Sequence, residues 1–551
     1  MACFIGGASL EGRRSRSCQT PAIAGVGGFL PRVLRLLPPV LLLGLALLTL
    51  AGCGTLPPAG PRPASVALAP PEDGTLAAIA KASTPPGGLS GFRLLPLGPY
   101  ALDARLQLIQ RARSSLDLQY YLIEDDATGR LLLRSLRDAA ARGVRVRLLV
   151  DDLFTADTDP MLRALADHPN IELRLFNPFC CLRGSTLGRI TGSLGDFYRV
   201  NHRMHNKLLI ADGLFAVAGG RNISDEYFML NQSSNFVDMD TFIAGALVAQ
   251  LQDIFDQYWN SEVVFPVQAL VPATVPPSQA LAEFERLSVV PHAPPELPSE
   301  DALGYGPIGE DLEAGRVGLI WAPARAFADP PDKLRPMSAD QTRALSASKE
   351  VRMKIWAAES DLVITSPYLI PGPLGITAFE GLGQRKVKTT VLTNSLAATD
   401  EPLVHTGYSR YRTRLLASGV DLYEISPERT RRTKRLGMFG SSFGRLHAKT
   451  AVVDGRTVFI GSMNLDPRSD TQNTELGIFV DSPELARELL RIINISKLQS
   501  AYRVRLDARG NLEWLTMDDD NEVVLTSEPE TTFWLRLHNL LISPFVPEQL
   551  L

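Results

Sequence analysis

His205-Asn206-Lys207-Leu208-Leu209-Ile210-Ala211-Asp212-Gly213 and His447-Ala448-Lys449-Thr450-Ala451-Val452-Val453-Asp454-Gly455 are two copies of one pattern. Each is completed at matched spacing by small residues and an asparagine, Gly219-Gly220-x-Asn222 and Gly461-Ser462-x-Asn464, and each follows an arginine two residues upstream, Arg203 and Arg445. The repeat reaches outward from there. Upstream of the first copy, Ala101 to Ser114 reads as a helix, and the apolar runs Leu116 to Ile123 and Val144 to Val150 read as strands. Ser346 to Ala358, Leu362 to Ile370 and Val387 to Leu392 repeat that order before the second copy. Helices alternating with short apolar runs predict an α/β fold. A period of about 240 residues is too long for a solenoid and predicts a duplicated domain. One half supplies one motif histidine, so the full site is expected where the halves meet.

Asp212-Gly213 and Asp454-Gly455 each separate two apolar runs, the signal of a tight β-hairpin. With those pairs as turn centres, His205 and Lys207 share one face of the incoming strand. Gly220 then faces His205 and Asn222 faces Arg203; Ser462 faces His447 and Asn464 faces Arg445. Small residues opposite an imidazole leave room for a phosphate, and the asparagine amides can donate to its oxygens. Asp212 and Asp454 read as turn formers in preference to direct catalysis. Each imidazole also needs a partner for its second ring nitrogen. Asp238, after Phe236-Val237, and Glu475, after Asn473-Thr474, are the candidate orienting carboxylates, with Asp240 a rival to Asp238. The bland alternative for each is a solvated charge at a strand end.

Two imidazoles and two ammonium groups suit a phosphodiester. One imidazole can attack phosphorus while the other, protonated, serves the leaving oxygen. Lys207, Lys449, Asn222 and Asn464 would position the nonbridging oxygens. No metal or other cofactor is called for: the chain has 7 histidines and shows no zinc-type spacing. His202 falls on the strand face opposite His205, His405 is a candidate pocket-lining residue, and His168, His292 and His538 have no motif around them.

The two full His-x-Lys-x4-Asp copies resemble the phospholipase D superfamily. Ser115-Leu116-Asp117-Leu118-Gln119-Tyr120-Tyr121, Leu175-Phe176-Asn177-Pro178-Phe179, Gly219 to Phe228, Leu392 to Asp400 and Thr532-Phe533-Trp534 resemble, within it, the bacterial cardiolipin synthases of class C. The resemblance runs from Gly91 to the C-terminus. It implies two tandem α/β/α sandwich domains with pseudo-two-fold symmetry and the site at their interface. It carries Asp212 and Asp454 into the catalytic set with His205, Lys207, His447 and Lys449. It also implies that His205 attacks, that His447 does acid and base work, and that a phosphatidyl group passes from one phospholipid to phosphatidylglycerol. Phosphatidylethanolamine is a second candidate donor. Hydrolytic phospholipase D, a phosphodiesterase or nuclease, and an inactive lipid-binding lipoprotein are the alternatives.

Residues 1–52 read as a signal: Arg32 and Arg35 precede the apolar run Val40 to Leu50, and Leu50-Ala51-Gly52-Cys53 resembles a bacterial lipobox. Cys53 is then the lipidation site, and resemblance to sorted lipoproteins implies that Gly54 after it favours the outer membrane. The protein is expected on a membrane facing the periplasm. Residues 53–90, rich in Pro, Ala and Gly, read as a flexible tether; 91–265 as the first domain; 266–345, with Val317 to Trp321 its one credible strand, as a Pro-rich connection; and 346–551 as the second domain. A balance of 56 basic and 60 acidic residues, net charge −4, argues against a general nucleic-acid partner. Arg429, Arg431, Arg432, Lys434, Arg435 and Arg445, interleaved with Met438, Phe439 and Phe443, form either a headgroup-binding patch or a solvated basic loop. Gly184 to Gly195 reads as a mobile lip. Tyr258-Trp259 and Phe533-Trp534 read as packing aromatics.

Overall fold

Asp212 and Gly213 both take left-handed backbone, φ 52° and 65°, and so do Asp454 and Gly455, φ 52° and 61°. Two successive positive φ angles favour Asp-Gly, and each pair turns a hairpin: Leu208–Ala211 with Phe215–Gly219, and Thr450–Val453 with Thr457–Gly461. They belong to a computed structural model that describes residues 56–291, 294, 296–433, 442–518, 521–548 and 551. The leader, Cys53, His292, Lys434, Arg435, Met438 and Phe439 lie outside the described residues.

The hairpin register differs from the expected one by a single residue. Leu214 N closes the turn on Ala211 O, and Arg456 N on Val453 O. The ladder then resumes one position later, with Ala211 opposite Phe215 and Val453 opposite Thr457. The strands also begin only after Lys207 and Lys449. Gly220, Asn222, Ser462 and Asn464 therefore lie beyond the strand ends and do not face His205, Arg203, His447 and Arg445 as expected.

Each hairpin sits inside a mixed sheet. In the first lobe the sheet runs, edge to edge, Ile320–Ala322, Ser90–Leu95, Asp240–Gly245, Phe215–Gly219, Leu208–Ala211, Ser115–Tyr120, Arg145–Asp151, Ile171–Phe176, Val264–Pro266. The second lobe repeats the pattern with Ala324–Ala328, Leu476–Asp481, the hairpin, Asp361–Thr365, Lys388–Asn394 and Asp421–Ile425, then adds three antiparallel strands from Ala501 to Leu525. Helices Gly98–Arg111 and Ser348–Trp356 occupy the expected places.

Both faces of each sheet are covered, which is why the central strands read as unbroken apolar runs. Leu116, Leu118, Val146 and Leu148 bury one face of the first sheet against Leu102, Leu108 and Leu132. Leu362, Ile364 and Leu422 do the same in the second with Ile376, Phe379 and Leu382. The inner faces share one core: Leu208, Ile210 and Ala216 meet Val452, Val458 and Ile460 through helices Leu247–Trp259 and Pro483–Gln499. Duplication has produced two sheets around a common interior.

The stretch 266–345 is not a separate connection. Ile320–Ala322 pairs with Ser90–Leu95 at the edge of the first sheet, and Ala324–Ala328 pairs with Leu476–Asp481 at the edge of the second. Phe284, Ile308 and Leu312 fill the first lobe's core. Nor is 56–90 a free tether. Residues 56–71 run along the end of helix Leu247–Trp259, where Arg62 donates to the carbonyls of Glu262 and Val264, and Ala67 N donates to Asp256. Helix Thr75–Ser83 then buries Leu76 and Ile79 in the first lobe's core. Tyr258 and Trp259 are fully buried, as packing residues should be. Phe533 and Trp534 are exposed instead, because helix Phe533–Ile542 buries none of its residues.

Candidate active site

Each motif histidine is delivered by backbone that pairs with the other lobe, His447 by a strand and His205 by the single parallel bridge of Met204 to Thr474. Phe443–Leu446 pairs in parallel with Ser234–Val237, and His447 N donates to Val237 O at 2.8 Å. The next residue, Asp238, then lies beside the ring, with Oδ2 2.6 Å from His447 Nδ1. The other copy repeats this. Thr474 N donates to Arg203 O, His205 N donates to Thr474 O at 2.8 Å, and Glu475 Oε2 sits 2.9 Å from His205 Nδ1. Each imidazole is thus oriented by the opposite lobe's carboxylate. Neither half has a complete site without the other.

The carboxylates are themselves fixed. Glu475 accepts from the hydroxyls of Ser462 and Ser469 as well as from His205. Asp238 Oδ1 accepts from Met239 N and packs over Gly220. Small residues after the hairpin therefore make room for, or bond to, the carboxylate that serves a histidine. Asp240, the rival candidate, is bound by Arg105 at 2.9 Å and Arg221 at 3.4 Å.

A carboxylate acceptor sets each imidazole as the Nδ1–H tautomer and leaves Nε2 with a lone pair. Burial pushes His205 down to about 4, helped by Lys207 and Lys449 and opposed by Glu475. His447 is lowered by burial and Lys449, against Asp238. Burial alone would raise both carboxylates, yet His205, Lys207 and Ser462 hold Glu475 below the usual range, and His447, Lys449 and Arg221 do so for Asp238. Lys207 is pushed down to about 7 and Lys449 to about 8, again mainly by burial. Lys449 bears on His205, His447 and Lys207 alike, so the two motifs share one electrostatic neighbourhood. A phosphodiester placed there adds negative charge and raises all four groups, which makes a proton available on His447.

Lys207 Nζ and Lys449 Nζ each donate to the carbonyl of their own motif histidine, which leaves two further N–H donors on each ammonium. Asn222 Nδ2 donates to the Tyr227 hydroxyl, which lies 3.4 Å from His447 Nε2. The amide oxygens of Asn222 and Asn464 are buried without a hydrogen-bond partner among the described residues. An amide flip at either position presents N–H donors there instead.

Asp212 and Asp454 belong to the turns and not to the chemistry. Asp212 accepts from the amides of Arg113, Ser114 and Ser115, and Asp454 from those of Glu359, Ser360 and Asp361, at the far end of each hairpin from its histidine. A left-handed turn aims their carboxylates at that neighbouring backbone. His202 is turned to Tyr198 O, His405 accepts from Arg412 in a buried cluster, and His168 accepts from Asn170 N. Arg431 pairs with Glu428 and stacks on Phe443. Reading the residues missed Tyr121, Tyr227 and Ser469. Tyr121 packs edge-on against His205 and Tyr227 against His447, both with centroids 5.1 Å apart. The signal for the last two was present: Tyr227 follows Asn222 by the same interval at which Ser469 follows Asn464.

Comparison with known proteins agrees with this geometry. The family described as "Cardiolipin synthase, PLD-like domain" matches residues 106–259 and 351–495, one segment for each motif. The chain belongs to this phospholipase D-like family. Within the family, cardiolipin synthase C of Escherichia coli (strain K12) is 38% identical over 462 residues, covering 82% of this chain and 94% of its own. Cardiolipin synthase A of Pseudomonas fluorescens is 25% identical over 429 residues, covering 76% and 72%. Among solved structures, a phosphatidylserine synthase of Haemophilus influenzae Rd KW20 superposes with a TM-score of 0.52 at 13% identity, covering 84% of this chain and 97% of that one. At that identity the likeness speaks for the phospholipase D-like fold alone.

Proposed function

We propose that this chain is a phosphatidyltransferase that makes cardiolipin by transferring a phosphatidyl group to phosphatidylglycerol. The observation that carries the reading is the pair of crossed imidazole–carboxylate contacts, His205 with Glu475 and His447 with Asp238. In the first step His205 Nε2 attacks phosphorus, the bond to the headgroup oxygen breaks, and His447 Nε2–H gives that oxygen its proton. A phosphatidyl-histidine remains. In the second step the glycerol hydroxyl of phosphatidylglycerol gives its proton to His447, its oxygen bonds phosphorus, and the P–N bond breaks to free His205. Lys207 and Lys449, with the amides of Asn222 and Asn464, neutralise the nonbridging oxygens. The likeness to cardiolipin synthases favours an alcohol over water as acceptor. A signal followed by lipidated Cys53 would hold the enzyme on a membrane facing the periplasm.

The test supplies membranes containing the protein with labelled phosphatidylglycerol and phosphatidylethanolamine in the presence of EDTA, and follows products by mass spectrometry. Labelled cardiolipin is expected, and it should vanish in His205→Ala and His447→Ala. Phosphatidic acid as sole product would replace this reading with a hydrolytic phospholipase D. The anchor is tested separately by the mass of the mature N-terminus, which Cys53→Ser should leave without acyl groups.

A further inference from the structure

The segment from Leu182 to Tyr198, just before the first motif, is built inside out. Its helix, Thr186–Gly192, buries Arg189 completely and leaves Leu187 72% exposed. Arg189 binds Asp152 and Asp159, and Arg183 binds the same two carboxylates. The third charge in the stretch, Asp196, is paired with Arg199. Outward there are only apolar groups of size: Leu182 at 58%, Leu194 at 60%, and Ile190, Phe197 and Tyr198 beside them. A surface helix in water carries its charge on the opposite side. The segment expected to form a lip is thus tied to the lobe beneath it by four charged side chains.

Burying two arginines and two aspartates to display six large apolar side chains gains little in water, since desolvation offsets the ion pairs. The arrangement fits an outer face that meets an apolar phase. Its base is also linked to the site, because Asp152 and Thr155, which bind Arg189, flank Phe154 in the chain. Phe154, itself 41% exposed, packs edge-on against Tyr121 with centroids 5.4 Å apart, and Tyr121 packs against His205. Two rings, Phe154 and Tyr121, thus lead from the loop that holds Arg189 to the imidazole of the nucleophile.

We propose that Leu182–Tyr198 is a lip that enters the acyl layer of a phospholipid bilayer, with the Arg183, Arg189, Asp152 and Asp159 quartet as its rigid base. The proposal rests on the phospholipid reading above. It commits to lipid as the occupant because the patch leads to His205, whose substrate carries acyl chains. The lip draws a bilayer phosphodiester towards the imidazoles without lifting the whole lipid out of the membrane.

The test uses the full-length protein. Leu187→Trp is mixed with vesicles of phosphatidylglycerol and phosphatidylcholine brominated in the acyl chains. Its added tryptophan emission is expected to be quenched. Met353→Trp should not be, since helix Ser348–Trp356 ends beside the Asp454 turn, away from the histidines. Separately, combined Leu182→Gln, Leu187→Gln and Leu194→Gln should lower turnover of vesicle phosphatidylglycerol about tenfold. Turnover of monomeric dihexanoyl phosphatidylglycerol should stay at the unsubstituted level. Equal quenching at Leu187 and Met353, no quenching at Leu187, or equal losses on both substrates would overturn the lip. So would dimerisation in solution that the triple variant abolishes, because the occupant would then be a second copy. If the unsubstituted protein turns over neither substrate, the functional reading fails, and the quenching still decides the lip.

Discussion

Gly220 lies so close to Asp238 that a Cβ added to it would come 2.1 Å from Oδ1. Ser462 fills the matching place in the second lobe and donates its hydroxyl to Glu475. Gly220→Ala is therefore expected to push Asp238 off His447 and to cut kcat by roughly 10²-fold or more, the usual worth of a positioned acid–base group. Ser462→Ala removes one donor to a buried carboxylate and should cost about 1.5–3 kcal/mol. Kinetics and thermal melting of both variants decide this. Unaltered kcat in Gly220→Ala would mean that Asp238 does not orient His447.

The two histidines should separate by what they leave behind. With an activated leaving group, such as a nitrophenyl phosphodiester, no proton is needed for the first step. His447→Ala should then accumulate a covalent adduct on His205, visible by peptide mass spectrometry, while His205→Ala shows none. An adduct on His447 in the native enzyme would reverse the assignment.

The lysines set an alkaline limit. With Lys207 near 7 and Lys449 near 8, raising the pH through that window strips positive charge from the free enzyme. Phosphodiester capture needs that charge, and the first step needs a proton on His447, itself lowered in the free enzyme. Because kcat/KM follows groups of the free enzyme, it should decline as pH rises and decline more steeply from about 7 to 8. In the bound complex the substrate's negative charge raises both lysines, so kcat should fall at higher pH than kcat/KM. His205, pushed down to about 4, stays neutral until well into acid, which places the acidic loss near that value. Coincident alkaline limbs in the two profiles would count against the lysines.

Asp212 should matter for stability and not for chemistry. Asp212→Ala strands three main-chain N–H groups and is expected to lower stability by about 2–4 kcal/mol. Below its melting transition, kcat should remain within about twofold of the unsubstituted value, since the Asp212 carboxylate bonds main-chain amides at the far end of the hairpin from His205. A large fall in kcat with an unchanged melting temperature would return Asp212 to the catalytic list.

The duplication, the two hairpins and the side chains that gather at the candidate site were legible because each leaves a local mark: an apolar run, an Asp-Gly pair, a fixed interval. The register was not. Phe215–Gly219 is buried on both faces, so its sequence carries no alternation to count from, and the extra residue at Leu214 is invisible. The exchange of partners between lobes was also hidden. Val237 and His447 lie far apart in sequence, and Asp238 and Glu475 could be named as orienting groups without showing that each serves the other half. Exposed Phe533 and Trp534 look like core residues by type, and only the lack of a covering element distinguishes them.

Ile320–Ala322 and Ala324–Ala328 stitch the edge of one sheet to the edge of the other, with Pro323 alone between them. One residue gives no slack for a swing. A clam-shell opening would have to unzip an edge ladder and split the shared interior, so traffic of long-tailed molecules must run through a fixed doorway. Whatever gates turnover in this enzyme belongs to the threshold of that doorway.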